Sequence, residues 1–234
     1  MCRMIGFLST RPCDVGPYFS ELQRQAREGV DSPHKDGWGL AVYERSNCHV
    51  VKRLVPAFED SLTPMLSGNA AVLHARKASF RRTADNVNCL HPFQFTVHDK
   101  PWSFCHNGTI HGIPSCLTER ATDSKVFAGL IEHNMMTGQE PDASYRSAVE
   151  EILRLYRPNS LNSFLVTDLE FLAVAHSYDK EHQIFFRASA ELLEVSTEPA
   201  MPDKHSADWT LLAQDSMLHA TNVDGHIELD MLEL

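Results

Sequence analysis

The chain has 234 residues, 43% hydrophobic and 22% charged, with a formal net charge of −10 at pH 7, a composition that gives a globular protein a sizeable core. An acidic balance of that size argues against nucleic acid as a partner, because phosphate binding draws on clustered Lys and Arg. No apolar run approaches the eighteen or so residues of a membrane span, and no apolar signal-peptide core precedes Arg11, so the expectation is a cytoplasmic protein with one domain over residues 1–234.

Cytoplasmic placement makes the six cysteines (Cys2, Cys13, Cys48, Cys89, Cys105, Cys116) reduced thiols. They form no CxxC pair, and the 13 histidines form no HxxxH or HExxH, so no metal or other cofactor is expected.

In chain order, Cys2 follows the initiator Met1, and removal of Met1 would leave a free α-amino group beside a thiol. With pKa values near 8.5 and 8, thiol and amine form a nucleophile with its own base, as in hydrolases whose N-terminal amine activates the attacking group. The alternative is an inert, half-buried thiol. Arg3 to Ser9 predicts a buried strand, punctuated by Pro12 and Gly16-Pro17. Over residues 18–29, Phe19, Leu22 and Ala26 at helical spacing and a closing glycine predict a helix. His34-Lys35-Asp36-Gly37-Trp38-Gly39 then opens a strand over 40–44. Its two glycines would admit backbone close to an aromatic wall, or else form a tight turn with a core tryptophan. Residues 49–54 predict the hairpin partner.

Residues 70–78 alternate as a strand, with Val72, His74 and Arg76 on one face and Leu73 and Ala75 on the other. An arginine ending an apolar strand calls for a carboxylate, which its planar fork binds through two parallel hydrogen bonds; a ligand or a structural ion pair would satisfy it. His74 reads as a core histidine. The stretch Asn88 to Phe93 (NCLHPF) reads as a loop, because the position before Pro92 disfavours helix. Trp102 to His106 predicts a strand that breaks at Asn107-Gly108. That dipeptide is a common hairpin turn; chemically, its side-chain and backbone N–H groups would converge as an oxyanion hole.

Thr122 is the expected N-cap of a helix running to about Gly138. Asp123 in its first turn either complements the helix dipole or faces a ligand ammonium. Residues 141–156 predict a second helix, with Ala148, Ile152 and Leu155 as its buried stripe. Short strands follow over 162–167, 171–177, 183–186, 192–197, 209–212 and 217–221, with a loop over 198–208.

Together the strand-end Cys2, Gly-Trp-Gly segment, arginine strand, HPF loop, His-Asn-Gly and Thr-Asp-Ser resemble, in their order, the class II glutamine amidotransferases, and most closely their small stand-alone members. The resemblance implies an α+β fold, the four-layer αββα sandwich of two antiparallel sheets found in N-terminal-nucleophile hydrolases. It also implies roles. Cys2 would attack a γ-amide carbon through a glutamyl-thioester, its own amine moving the proton, and Asn107 and Gly108 would hold the oxyanion. Arg76 would clamp the α-carboxylate and Asp123 the α-ammonium, while His91, Trp38 and His106 would shape the pocket. Apart from the family pattern, the arginine strand runs on as Lys77-Ala78-Ser79, where Ser79 would offer a hydroxyl. Lys125 departs from the family, which commonly has Glu at that place.

The expected reaction is hydrolysis of glutamine or of a γ-glutamyl amide or peptide, releasing glutamate with ammonia or an amine. The expected partners are that small-molecule substrate and, where ammonia is passed on, a separate synthase subunit, since no second domain follows Leu234; a homo-oligomer stays open. Two other classes stand beside this reading. One is a catalytically silent glutamate-binding or partner-binding module of the same fold, in which Cys2 is dispensable. The other is a zinc or redox protein using the scattered Cys and His residues.

Overall fold

In the computed structural model, residues 2–62, 64–79, 83–113, 122–178, 182–199 and 208–234 are described. The chain opens with β1 (Arg3–Asp14), longer than its apolar run predicts because it crosses an irregularity between Leu8 and Cys13 and continues through Pro12. Helix α1 (Gly16–Glu28) buries Phe19, Leu22 and Ala26 and has Gly29 as its C-cap. The hairpin β2 (Trp38–Glu44) and β3 (Asn47–Arg53) follows, then β4 (Ser67–Ala75), β5 (Phe93–Val97) and β6 (Lys100–Asn107).

The tight turn between β5 and β6 falls at His98 and Asp99, both with positive φ (49° and 61°). That is the geometry of a two-residue hairpin, and Asn107-Gly108, offered by sequence as a turn, does not adopt it. β7 (Ile110–His111) precedes α2 (Asp123–Met136), where Thr122 Oγ1 accepts the Lys125 N–H as the N-cap. In α3 (Pro141–Leu155) the buried stripe is Tyr145, Ala148, Val149 and Ile152, and Leu155 is 47% exposed, correcting the predicted stripe.

The remaining strands are β8 (Arg157–Pro158), β9 (Asn162–Val166), β10 (Glu170–Ala175), β11 (Phe185–Ala188), β12 (Leu192–Ser196), β13 (Thr210–Leu211), β14 (Ser216–Val223) and β15 (His226–Glu233). The last was missed in the sequence although its residues alternate. Residues 200–207 of the expected loop lie outside the described residues, as do Met1 and Cys116.

One sheet has the order β13-β11-β12-β1-β4-β2-β3 and the other β15-β14-β10-β9-β6-β5, with β7 and β8 paired apart. Every pairing is antiparallel. Three apolar cores separate four layers. Phe19, Leu22, Trp38, Leu40 and Leu73 fill the space between α1 and the first sheet. Met4, Val72, Phe164, Val166 and Phe171 fill the space between the sheets. Phe104, Phe127, Tyr145 and Leu165 join the second sheet to α2 and α3. This is the expected αββα sandwich. The alternation predicted in β4 is seen here, since Val72 faces the second sheet and Leu73 and Ala75 face α1. No helix among the described residues is long and apolar enough to cross a membrane.

Candidate active site

Antiparallel pairing of β1 with β4 places Arg3 opposite Ala75, so the residue before β1 meets the residues leaving β4. Cys2 and Lys77 meet there: the Lys77 backbone N–H donates to Cys2 Sγ at 3.4 Å, and the thiol reaches the Lys77 carbonyl at 3.6 Å. From the other sheet, the end of β6 brings Asn107 against Cys2. The Cys2 N–H donates to Asn107 Oδ1 at 2.8 Å, and Asn107 Nδ2 donates to the Cys2 carbonyl at 3.2 Å. One buried carboxamide thus holds the Cys2 backbone on both sides. Burial pushes the Cys2 thiol above its ordinary range, opposed by the Lys77 N–H and by the nearby Arg76 and Arg3 charges. The sulfur is therefore held as a protonated thiol.

Gly108 follows Asn107 where a side chain has no room. A Cβ there would collide with the Ser160 carbonyl and stand 2.8 Å from His106 Nε2. His106 itself is buried and bonded twice, Nε2 with the Ser160 carbonyl at 3.0 Å and Nδ1 with Ser124 Oγ at 2.9 Å. A carbonyl only accepts, so Nε2 carries the proton and Nδ1 accepts from the serine. Burial lowers the His106 pKa, against the pull of Asp123, and the ring is a neutral strut between β6, α2 and Ser160.

Arg76, 6% exposed, stands just past β4, and its fork donates to the Thr83 carbonyl at 2.6 Å and the Thr83 hydroxyl at 2.7 Å. Among the described residues no carboxylate pairs with it. Its guanidinium is therefore aimed by the loop that carries Thr83. Asp123, first residue of α2, accepts the Ile110 N–H on Oδ2 at 2.7 Å. Ser79 and Thr109 share a hydrogen bond of 2.8 Å.

These residues meet at one cavity of about 400 Å³, lined by Cys2, Arg76, Ser79, His91, His106, Asn107, Gly108 and Asp123 among others. The His91 ring, 5% exposed, stacks on His74 with centroids 4.2 Å apart. Trp38 departs from expectation. It is fully buried between α1 and the first sheet, stacked on Phe19 at 4.6 Å with its Nε1–H bonded to Asp60 at 3.0 Å, and it does not line the cavity. The neighbouring Gly39 is the closer link to the site. A Cβ there would collide with the His91 carbonyl, so the bare backbone seats the HPF loop.

Sequence reasoning missed Lys77, whose backbone reaches the sulfur, and Thr83 and Ser160, which aim Arg76 and His106 through groups that carry no motif. Among the described residues no group of three or more His, Cys, Asp or Glu side chains comes together as a metal site, and Cys2, Cys13, Cys48, Cys89 and Cys105 are free thiols.

Residues 1–168 match the family model described as glutamine amidotransferases class-II. The chain belongs to that family. As a class II glutamine amidotransferase it is 30% identical over 142 residues to an Escherichia coli K12 protein named "Putative glutamine amidotransferase YafJ", covering 56% of this chain and 54% of that one. A Haemophilus influenzae protein of the same description is 23% identical over 205 residues, 80% of this chain and 67% of that one. The chain thus spans about half the length of the first of these relatives. Among solved structures, a glutamine aminotransferase class-II domain protein from Silicibacter pomeroyi superposes with a TM-score of 0.61 at 18% identity, each chain covered fully (100%). A B. subtilis glutamine phosphoribosylpyrophosphate amidotransferase, complexed with ADP and GMP, gives 0.67 at 14% identity, covering 98% of this chain and 49% of that one. At those identities the structural likeness speaks for the N-terminal-nucleophile amidotransferase fold.

Proposed function

We propose that this class II glutamine amidotransferase chain hydrolyses the γ-amide of glutamine or of a γ-glutamyl amide, with Cys2 as nucleophile once Met1 is removed. The observation that carries the reading is the common wall of Cys2, Asn107, Gly108, Arg76 and Asp123 around one cavity of about 400 Å³. A zwitterionic glutamyl group needs one fixed cation and one fixed anion away from the nucleophile, and Arg76 and Asp123 are a pair of that kind.

In the proposed reaction the Cys2 sulfur bonds to the carbonyl carbon of the γ-amide while its proton passes to the Cys2 α-amine. The raised thiol pKa makes that internal base necessary. The tetrahedral oxyanion would accept from the second Asn107 Nδ2–H and the Gly108 N–H, donors of the type worth about 2.7–4 kcal/mol each. The C–N bond then breaks, the amine-held proton leaves with ammonia or an amine, and the glutamyl group stays as a thioester. Water attacks that carbon, the C–S bond breaks, the proton returns to sulfur, and glutamate departs. Arg76 would bind the α-carboxylate and Asp123 the α-ammonium, with His91 on the wall. Ammonia would be set free or handed to a separate synthase subunit.

The test is intact-mass analysis before and after 6-diazo-5-oxonorleucine, a glutamine-mimicking electrophile. Loss of Met1 and one covalent adduct, absent in Cys2→Ala, is the expected result. A retained Met1, or a processed chain that takes no adduct, would instead favour a catalytically silent binding module.

A further inference from the structure

A second hollow, of about 420 Å³, lies behind the wall of the first, lined by Lys52, Asn88, Phe93, Gln94, Phe95, Lys125, Ala128, Gly129 and Glu132. It is formed between β3, the HPF loop with β5, and the first turns of α2. Its floor is apolar: Phe93, Phe95 and Ala128 are at most 8% exposed, and Gly129 contributes no side chain.

Two ammonium groups border this hollow without a carboxylate partner. Lys52 is half-buried, with its ammonium 5.7 Å from the centroid of the Phe93 ring, a contact that compensates only part of the lost hydration. Burial lowers its affinity for a proton and the Lys125 charge lowers it further, with Cys105 opposing. Lys125 sits in the first turn of α2, where the helix dipole disfavours a cation. Neither lysine has an ion pair among the described residues, and Glu132, on the same hollow, is not within ion-pair reach of either. The two like charges repel each other, in a chain whose net charge is −10. An anion between them would remove the repulsion.

We infer that the hollow between Lys52 and Lys125 is a binding site for a small phosphorylated anion, its phosphate held by the two ammonium groups and the Asn88 amide, with any apolar body over Phe93 and Phe95. The site is separate from the catalytic cavity but shares two segments with it. Along 88–93, Asn88 and Phe93 face the hollow, while Cys89 and His91 face the catalytic cavity; along α2, Lys125 and Ala128 face the hollow, while Asp123 and Ser124 face the cavity.

The test is a titration of the full chain with inorganic pyrophosphate, following backbone amide NMR shifts at matched ionic strength with sodium chloride as the control. We expect saturable shifts at Asn88, Gln94 and Gly129 with a midpoint near or below about 1 mM, weakened at least about tenfold in Lys52→Met and in Lys125→Gln. Lys125 is exposed, so Lys125→Gln keeps the test valid should Lys52→Met fold poorly. Shifts that never saturate, that chloride reproduces, or that persist in both variants would overturn the assignment. So would saturation by a polyglutamate peptide with none by pyrophosphate, which would make the surface a dock for an acidic segment. The readout is binding alone and is independent of glutaminase activity.

Discussion

At the scale of single residues, most polar groups of the site hold structure as well as face the cavity, so substitutions separate the two duties. Asn107 anchors the Cys2 backbone through both of its amide atoms. Asn107→Ala is expected to lower kcat about 10²–10³-fold and to slow alkylation of Cys2, measured by single-turnover assay and by mass spectrometry. Asp123→Asn keeps an oxygen for the Ile110 N–H but loses the charge. It should leave the melting temperature near that of the parent and raise KM for glutamine at least tenfold with a smaller change in kcat. The stacked histidines give a pH dependence. His74 is fully buried and burial, with the Arg76 charge next, pushes its pKa down to about 3; burial and the His74 charge hold His91 well below its ordinary range. Neither ring nitrogen of His91 has a hydrogen-bond partner among the described residues. The unfolded chain takes up these protons near pH 6.5 and the folded chain does not until much lower. Stability from the neutral rings is therefore complete above pH 6.5 and declines as pH falls toward 3, by about 1.4 kcal/mol per pH unit per histidine. Urea denaturation across pH 7.5 to 5 should show this slope, and His74→Phe should reduce it by about one proton.

At the scale of elements, the register of β1 against β4 and the approach of β6 bring Cys2, Lys77 and Asn107 together, and close backbone contacts set the surrounding loops. Gly39→Ala would drive a Cβ into the His91 carbonyl. We expect it to displace the HPF loop and lower kcat/KM at least tenfold, with Trp38 fluorescence little changed because the indole sits on the opposite, α1 side. The same contacts explain what could be read in the chain beforehand. Helical spacing located α1, because burial on one face leaves a periodic trace, and a near-continuous apolar run located β4, which is buried on both faces. The Gly-Trp-Gly segment was half legible: a glycine did admit another backbone, but that backbone was the HPF loop and the tryptophan belonged to the α1 core. Asn107-Gly108 was legible as chemistry and illegible as geometry, since the glycine serves approach to Ser160 instead of a left-handed turn. Thr83 and Ser160 act through carbonyls and a hydroxyl that many sequences would supply, and only the folded contacts single them out. The two-residue turn at His98-Asp99 has no glycine to announce it.

At the scale of the molecule, the four layers place Cys2, the proposed nucleophile, at the start of a central strand, with the inter-sheet core beneath it. Phe164 is fully buried there against Phe171, ring centroids 5.3 Å apart. Phe164→Ala should cost about 3–5 kcal/mol of stability, read as a lower urea midpoint, while any residual folded fraction keeps its affinity for a glutamine analogue. Sheet edges differ in their openness. β15 ends one sheet beside β14, and its residues are exposed or half-buried. Cys2, by contrast, has its N–H turned onto Asn107 inside the cavity wall. On the proposed mechanism, an affinity handle fused ahead of Cys2 would crowd the cavity and turn the proposed base into an amide, whereas one fused beyond β15 would leave from a strand four places from β6 in the same sheet. Preparations made with the two fusions should differ in activity by orders of magnitude while melting alike, and an inactive N-terminally extended protein would be a statement about cloning, not about the enzyme.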